Sequence, residues 1–406
     1  MSIFKYLMLL IFMVLMLSCS RDVDPLTSST DTQPSVISDV DDLQALDTEG
    51  ITKRSYSKPI RVMTRNIYIG TDVDVVLGAE DPNQIPILAA QAFQGLIATN
   101  FPERAVSLAR EIFFTRPDLI GLQEVSLIRL QSPGDAVTGG TVPAEDVLMD
   151  YLDIFMATLD AMGLNYKVAA KNQNADVEIP MLTGTNPLTF DDVRVTDYDV
   201  ILVKNSIQVS DVESKNYQYN LTLPQVGLEI LRGYSAIDAS VSGRTYRFVN
   251  THLEPFSVDI QLAQVQELLT DLSDENLPVV MVGDFNSEAP TGDTYNFVVS
   301  HDYDDVWLKN IFKFNPDGYT YGHDADLRND KPEFWQRIDY IFAKNSPGSS
   351  ANLGKAVLAI VVGDEQFNRT VSGLWPSDHG GVVAQFSFPN LNPHLSYEHT
   401  HHKSKN

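Results

Sequence analysis

Short apolar runs with a two-residue beat alternate along the chain with stretches whose apolar positions return every three or four residues. Residues 60–67, 118–125, 199–205, 234–241, 245–253, 278–286, 336–344 and 381–388 are rich in β-formers and read as strands. Ser242-Gly243-Arg244 joins two of them and predicts a hairpin. Helical spacing is clear over 102–116, where Pro102 suits a first helical position and Ala105, Leu108, Ala109, Ile112 and Phe113 form one stripe. The same spacing predicts helices over 145–162 and 258–272, the latter with Ile260, Ala263, Leu268 and Leu272 on one face. Many strands with helices between them predict an α/β fold over 58–390, two sheets packed face to face with helices outside.

The two ends of the chain read differently. Residues 1–18 hold one cation, Lys5, and a twelve-residue apolar run, Tyr6–Leu17. At ~1.5 Å per residue that run reaches about 18 Å, short of a ~30 Å hydrocarbon core, so it reads as a secretory signal peptide. Ser18-Cys19 follows, and the whole resembles a bacterial lipoprotein leader in which Cys19 becomes the lipidated N-terminus. That resemblance implies export to the bacterial cell envelope as a membrane-anchored lipoprotein, periplasmic or at the cell surface. Residues 19–57 are acidic and rich in Ser and Thr, with no aromatic before Tyr56, which predicts a flexible tether. Residues 391–406, with His394, His399, His401 and His402, lack periodicity and read as a solvated, disordered tail.

Composition narrows the chemistry. With 43% hydrophobic residues the 406-residue chain has ample material for a core, and wholesale disorder is excluded. A single cysteine excludes a disulfide framework within the chain and a four-Cys zinc site. The net charge of −25 argues against a broad basic groove that neutralises many phosphates. It leaves phosphate chemistry open, because a carboxylate-bound cation brings its own positive charge.

Polar residues gather where buried strands end: Asn66, Glu124, His252, Asp284 with Asn286, Asp339, and Asp378-His379. Any one of them is an ordinary turn former. Together they mark a site, since buried polar groups cost free energy unless they are satisfied. The segments RVMTRN, GLQEV, VNTHLE, VVMVGDFNS, RIDYIF and PSDHGGVV, in that order, resemble the motifs of the endonuclease/exonuclease/phosphatase superfamily, the DNase I-like proteins. The resemblance spans about residues 60–388. It implies a four-layered α/β sandwich of two mainly antiparallel sheets flanked by helices. The longer strings TRNIYIG and GLWPSDH resemble a bacterial branch of that superfamily.

The resemblance also implies roles. Glu124 is the principal ligand of a divalent cation, with Asn66 beside it and Asp378 facing the same region. Mg²⁺ is the expected ion, with Mn²⁺ or Ca²⁺ as substitutes, because oxygen donors suit hard cations. Asp284 orients and deprotonates the attacking water, and Asn286, two residues on, shares its strand face. His379 donates to the charge developing on the phosphoryl oxygens with Asp339 as its carboxylate partner, and His252 contacts the phosphate or protonates the leaving group. Outside those motifs, the polar loop 319–330 reads either as lining the cleft, with Arg328 and Arg337 meeting phosphate, or as an ordinary solvated loop. The implied function is a secreted, lipid-anchored, Mg²⁺-dependent phosphodiesterase, foremost a DNase I-like nuclease acting on nucleic acid. A sphingomyelinase-like phospholipase acting on a lipid headgroup is the alternative, and a non-catalytic surface binding protein on the same fold is a second. No protein partner is implied.

Overall fold

The computed structural model describes residues 56–390, apart from 224–227, 312–316, 350 and 355–356. The expected leader, Cys19, the tail and all of the tether but its last two residues lie outside the described residues. The chain opens with β1 (Ile60–Asn66), then α1 (Asp74–Leu77), α2 (Ile85–Ala98) and α3 (Phe101–Thr115). Next come β2 (Leu119–Gln123), β3 (Leu127–Gln131), β4 (Asp146–Asp150) and α4 (Tyr151–Ala161). A long hairpin follows, β5 (Tyr166–Thr185) with β6 (Leu188–Lys204), and then β7 (Gln208–Asn216). A small ribbon of β8 (Leu221–Leu223) and β9 (Leu228–Ile230) precedes β10 (Gly233–Val241), β11 (Arg244–His252) and α5 (Val258–Asp271). The remainder carries β12 (Val279–Asp284), α6 (Asp293–Ser300), β13 (Asp304–Asp305), β14 (Asp339–Lys344), β15 (Leu358–Val362) and β16 (Gly381–Phe386).

One sheet has the order β15-β16-β1-β2-β6-β3-β4, with β5 beside β6, and the other β13-β14-β12-β11-β10-β7. The pairs β1/β2 and β11/β12 are parallel. The neighbouring pairs β1/β16, β2/β6, β10/β11 and β12/β14 are antiparallel. Strand alternation sorts the side chains. β1 sends Ile60 and Val62 between the sheets, where they meet Leu119, Ile201, Phe248, Val282, Ile341 and Phe386. Met63 points the other way, onto Phe101, Ala105, Leu108 and Ile112 of α3. The outer face of the second sheet is covered by Val265 and Leu268 of α5 and Val298 of α6. The result is the expected α/β sandwich, helices–sheet–sheet–helices.

The predicted hairpin is present, with Ser242 and Gly243 both at positive φ in a two-residue turn. The helix expected over 145–162 is corrected: its first turn is β4, paired with β3, and Asp150 caps the helix proper by accepting the Asp153 N–H at 3.0 Å. Beneath the site the two sheets are joined by a polar bridge. Gln123 Nε2 donates to Asn250 Oδ1 at 2.6 Å, and Asn250 Nδ2 donates to the Leu122 carbonyl at 2.9 Å. Gly121 makes room for it, since a Cβ there would lie 2.4 Å from Asn250 Oδ1.

Candidate active site

Register places the polar strand ends together. His252 of β11 stands opposite Asp284 of β12, and Asp284 opposite Asp339 of β14, in one row across the second sheet. On the first sheet Asn66 ends β1 beside Gln123, and Glu124 follows at φ 59°, a left-handed turn that bends the chain where β2 stops. Asp339 opens β14 and Asp378-His379 precede β16, rather than ending strands. Both strands run against β12 and β1, so their starts reach the same edge.

Asp284 is the centre. Its Oδ2 lies 3.6 Å from Nε2 of both His252 and His379 and accepts from Asn66 Nδ2 at 3.2 Å. Burial, then the neighbouring Asp339, raises its pKa to about 7. His379 Nδ1 is 2.9 Å from Asp339 Oδ2. Burial alone would depress this imidazole, but Asp339, Asp378 and Asp284 outweigh burial and push its pKa up to about 10, so it is an imidazolium at neutral pH. His252 is held in the opposite state. Arg232 Nη1 lies 3.0 Å from its Nδ1. A guanidinium only donates, so Nδ1 accepts and the proton sits on Nε2, facing Asp284. Burial, then Arg232 and His379, hold the His252 pKa well below the usual value. His252 is therefore a neutral N–H donor facing Asp284.

The expected cation ligands converge from two segments. Asn66 Nδ2 donates to Glu124 Oε1 at 2.9 Å, and Glu124 Oε2 accepts the Ile69 N–H at 2.8 Å. Asn66 thus turns its amide nitrogen toward the acids, while its Oδ1 accepts the Tyr68 N–H at 2.9 Å. Asp378 accepts from Ser377 Oγ at 3.3 Å. Burial raises its pKa to about 6; His379 opposes that, and the charge of Glu124 adds to it. Carboxylate oxygens from two segments, with the ionisation of Asp378 opposed by the neighbouring Glu124 charge, fit a hard divalent cation. Glu124 and Asp378 would hold it.

Other expectations change. β12 stops at Asp284, so Asn286 shares no strand face with it. Asn286 adopts a left-handed conformation, φ 49°, its Nδ2 bonds the Leu253 carbonyl, and its backbone N–H donates to Asp284 Oδ1 at 2.9 Å. Arg337 is buried, paired with Asp305 Oδ2 at 2.8 Å and stacked on Tyr295 and Tyr340, so it is spent inside the domain. Arg328 is exposed and lines an acidic surface depression with Asp324, Asp326 and Asp330. The loop 319–330 meets the cluster instead through Tyr321, whose ring lies 4.8 Å from the His379 imidazole. Sequence reasoning missed Arg232, and also Asp197 and Asp199, whose carboxylates lie within 4.8 Å of a His252 ring nitrogen. Burial raises the pKa of Asp197 to about 6, and burial with Asp197 beside it holds Asp199 well above the carboxylate range. The signal for the pair was two aspartates spaced to share a strand face directly before an apolar run.

A sequence model described as the Endonuclease/Exonuclease/phosphatase family matches residues 93–379. No curated protein matches the chain. Solved structures similar to it include an endonuclease/exonuclease/phosphatase family protein from Bacteroides thetaiotaomicron, at 16% identity, covering 83% of this chain and 100% of that one, with TM-score 0.48. A mannosyl-6-phosphatase from the same organism is 18% identical, with 81% and 100% coverage and TM-score 0.47. Truncated TDP2 from Caenorhabditis elegans is 18% identical, with 81% and 97% coverage and TM-score 0.43.

Proposed function

The chain belongs to the endonuclease/exonuclease/phosphatase family, and on that premise we propose that it is an exported, lipid-anchored, Mg²⁺-dependent phosphodiesterase with nucleic acid as its foremost substrate. One observation carries the catalytic part. A carboxylate poised near neutrality, Asp284, lies 3.6 Å from two imidazoles held in opposite charge states. A general base works best with a pKa near the operating pH. Asp284 takes the proton of the attacking water, with its Oδ1 fixed by the Asn286 N–H. His379 directs its protonated Nε2 at the phosphoryl oxygens while Asp339 holds its other nitrogen. His252 adds a neutral N–H from the opposite side, and Arg232 behind it supplies the side-chain cation nearest this imidazole. Mg²⁺ on Glu124 and Asp378 would supply Lewis-acid polarisation of the phosphoryl group.

The apolar run and Cys19 support export and lipidation. Cys19→Ala should move the protein from the membrane fraction to the soluble one with catalysis intact; identical fractionation of both forms would remove the anchor from the reading. For the reaction, plasmid DNA, RNA, sphingomyelin and bis-p-nitrophenyl phosphate are to be assayed against Mg²⁺. Cleavage of a nucleic acid that Glu124→Gln abolishes is the expected result. Choline phosphate release with DNA left intact would move the substrate to lipid, and no turnover of any diester would overturn the proposal.

A further inference from the structure

Two strings in the sequence run on past the residues of the reaction: TRNIYIG (64–70) and GLWPSDH (373–379). In the fold they close around one side chain, Arg104 of α3, which is fully buried. Its Nη1 donates to the carbonyls of Ile67 at 2.7 Å and Pro376 at 3.0 Å, its Nη2 to Tyr68 at 3.0 Å, and its Nε to Thr99 at 2.9 Å. These four bonds go to carbonyl oxygens, the Tyr151 hydroxyl lies against the guanidinium as well, and among the described residues no carboxylate bonds it. A guanidinium without an ion-pair partner is costly to bury, and the carboxylate whose charge bears on it is Asp378.

The carbonyls it holds belong to the segments that carry the site. Ile67 and Tyr68 directly follow Asn66, and the next N–H groups are already committed: Tyr68 N–H to Asn66 and Ile69 N–H to Glu124. Pro376 stands two residues before Asp378, and Ser377 Oγ between them donates to the Asn66 carbonyl at 2.8 Å. Gly70 lets the first segment close. It sits at φ +103°, and a Cβ there would come within 2.5 Å of Thr99 Oγ1 and 3.3 Å of Arg104 Nη2.

We infer that Arg104 is the positioning residue of the cation site: one buried guanidinium ties the segment of Asn66 and Ile69 to the segment of Asp378, so that the oxygen donors stand in place before a cation arrives. The inference rests on reading Glu124 and Asp378 as that cation's ligands. Two effects of Arg104 have opposite signs. As a positive charge near Asp378 it repels an incoming cation; as a tie between the ligand segments it favours binding. The tie is the larger effect, since groups that orient metal ligands are commonly worth about 10- to 100-fold in affinity.

Calorimetric titration of Mn²⁺ into the full chain separates the two. Wild type is expected to bind Mn²⁺ and Glu124→Gln to lose that binding; equal binding by both would remove the ligand reading itself. With that control satisfied, Arg104→Met is expected to bind Mn²⁺ at least about 10-fold more weakly, although it has lost a repelling charge. Unchanged or tighter binding overturns the inference and leaves the ligands standing. If thermal unfolding shows that Arg104→Met does not fold, Arg104→Lys decides by the same criterion, because an ammonium keeps the charge but lacks the fork that spans these carbonyls.

Discussion

The two histidines of the site are the same residue, equally buried, 3.6 Å from the same oxygen of Asp284, and yet they carry different charge. His379 lies among Asp339, Asp378 and Asp284, and its pKa is raised to about 10. His252 backs onto Arg232 and stays neutral. Burial pulls both imidazoles downward; at His252 the Arg232 charge adds to it, whereas at His379 the surrounding carboxylates, Asp339 first, outweigh it. An imidazole's role is thus set by what lies behind it, which is invisible in a motif that names the histidine alone.

The comparison breaks most completely when its shared partner goes. Asp284→Asn leaves both histidines without a carboxylate between them, and kcat should fall by about 10²- to 10⁴-fold at saturating Mg²⁺, read from single-turnover rates. A loss under tenfold would mean that the base lies elsewhere.

A smaller change makes the two histidines more alike. In wild type kcat should rise as pH passes about 7, where Asp284 loses its proton, and fall as pH passes about 10, where His379 loses its own. Asp339→Asn removes the leading charge that holds His379 protonated. The upper limb should move toward neutral pH by about two units, with kcat lowered roughly 10-fold at pH 9. An upper limb that stays put would assign it to another group.

Arg232→Gln works on the other histidine. Without the guanidinium the His252 pKa should rise, which imidazole NMR signals would report. KM should rise about 10-fold, the loss expected for a hydrogen bond from a charged group of ~1.5 kcal/mol. An unaltered KM would confine Arg232 to setting the tautomer.

The smallest expected effect is that of salt. The sequence is strongly acidic and, of the two arginines expected at phosphate, Arg337 is sequestered by Asp305. Where side chains neutralise only about one phosphate, the logarithm of kcat/KM for DNA should fall with log salt at a slope of about −1. A slope of several units would reveal a basic path along the cleft.

Much of this arrangement was legible because strand boundaries reveal themselves as polar residues beside apolar runs: Asn66, Glu124, His252 and Asp284 stand where a strand stops, and Asp339 and His379 where one starts. Elements lacking a one-sided pattern were not legible. β5 and β7 expose residues on both faces, so their alternation is blurred. Val147 and Leu148 face solvent on β4 and imitated a helical stripe. Ion-pair partners are hidden for a different reason. Nothing near Arg337 in sequence announces Asp305, and nothing near Arg232 announces His252, because sheet register makes those neighbours. Asn286 was read through strand alternation that ends two residues too early.

At the far end of the central strands of the first sheet the chain closes on itself. Tyr56 bridges Pro389, and Ile60 pairs with Phe386, about 20 Å along the strands from where Asn66 and His379 meet. The folded body therefore starts and finishes at one spot, on the pole opposite its chemistry. A short peptide could close that gap, and the ring so formed could be reopened at the exposed Gly139 turn without cutting a strand of either sheet. For the same reason a reporter joined at Tyr56 or Pro389 attaches at the end of the strands away from Asn66 and His379.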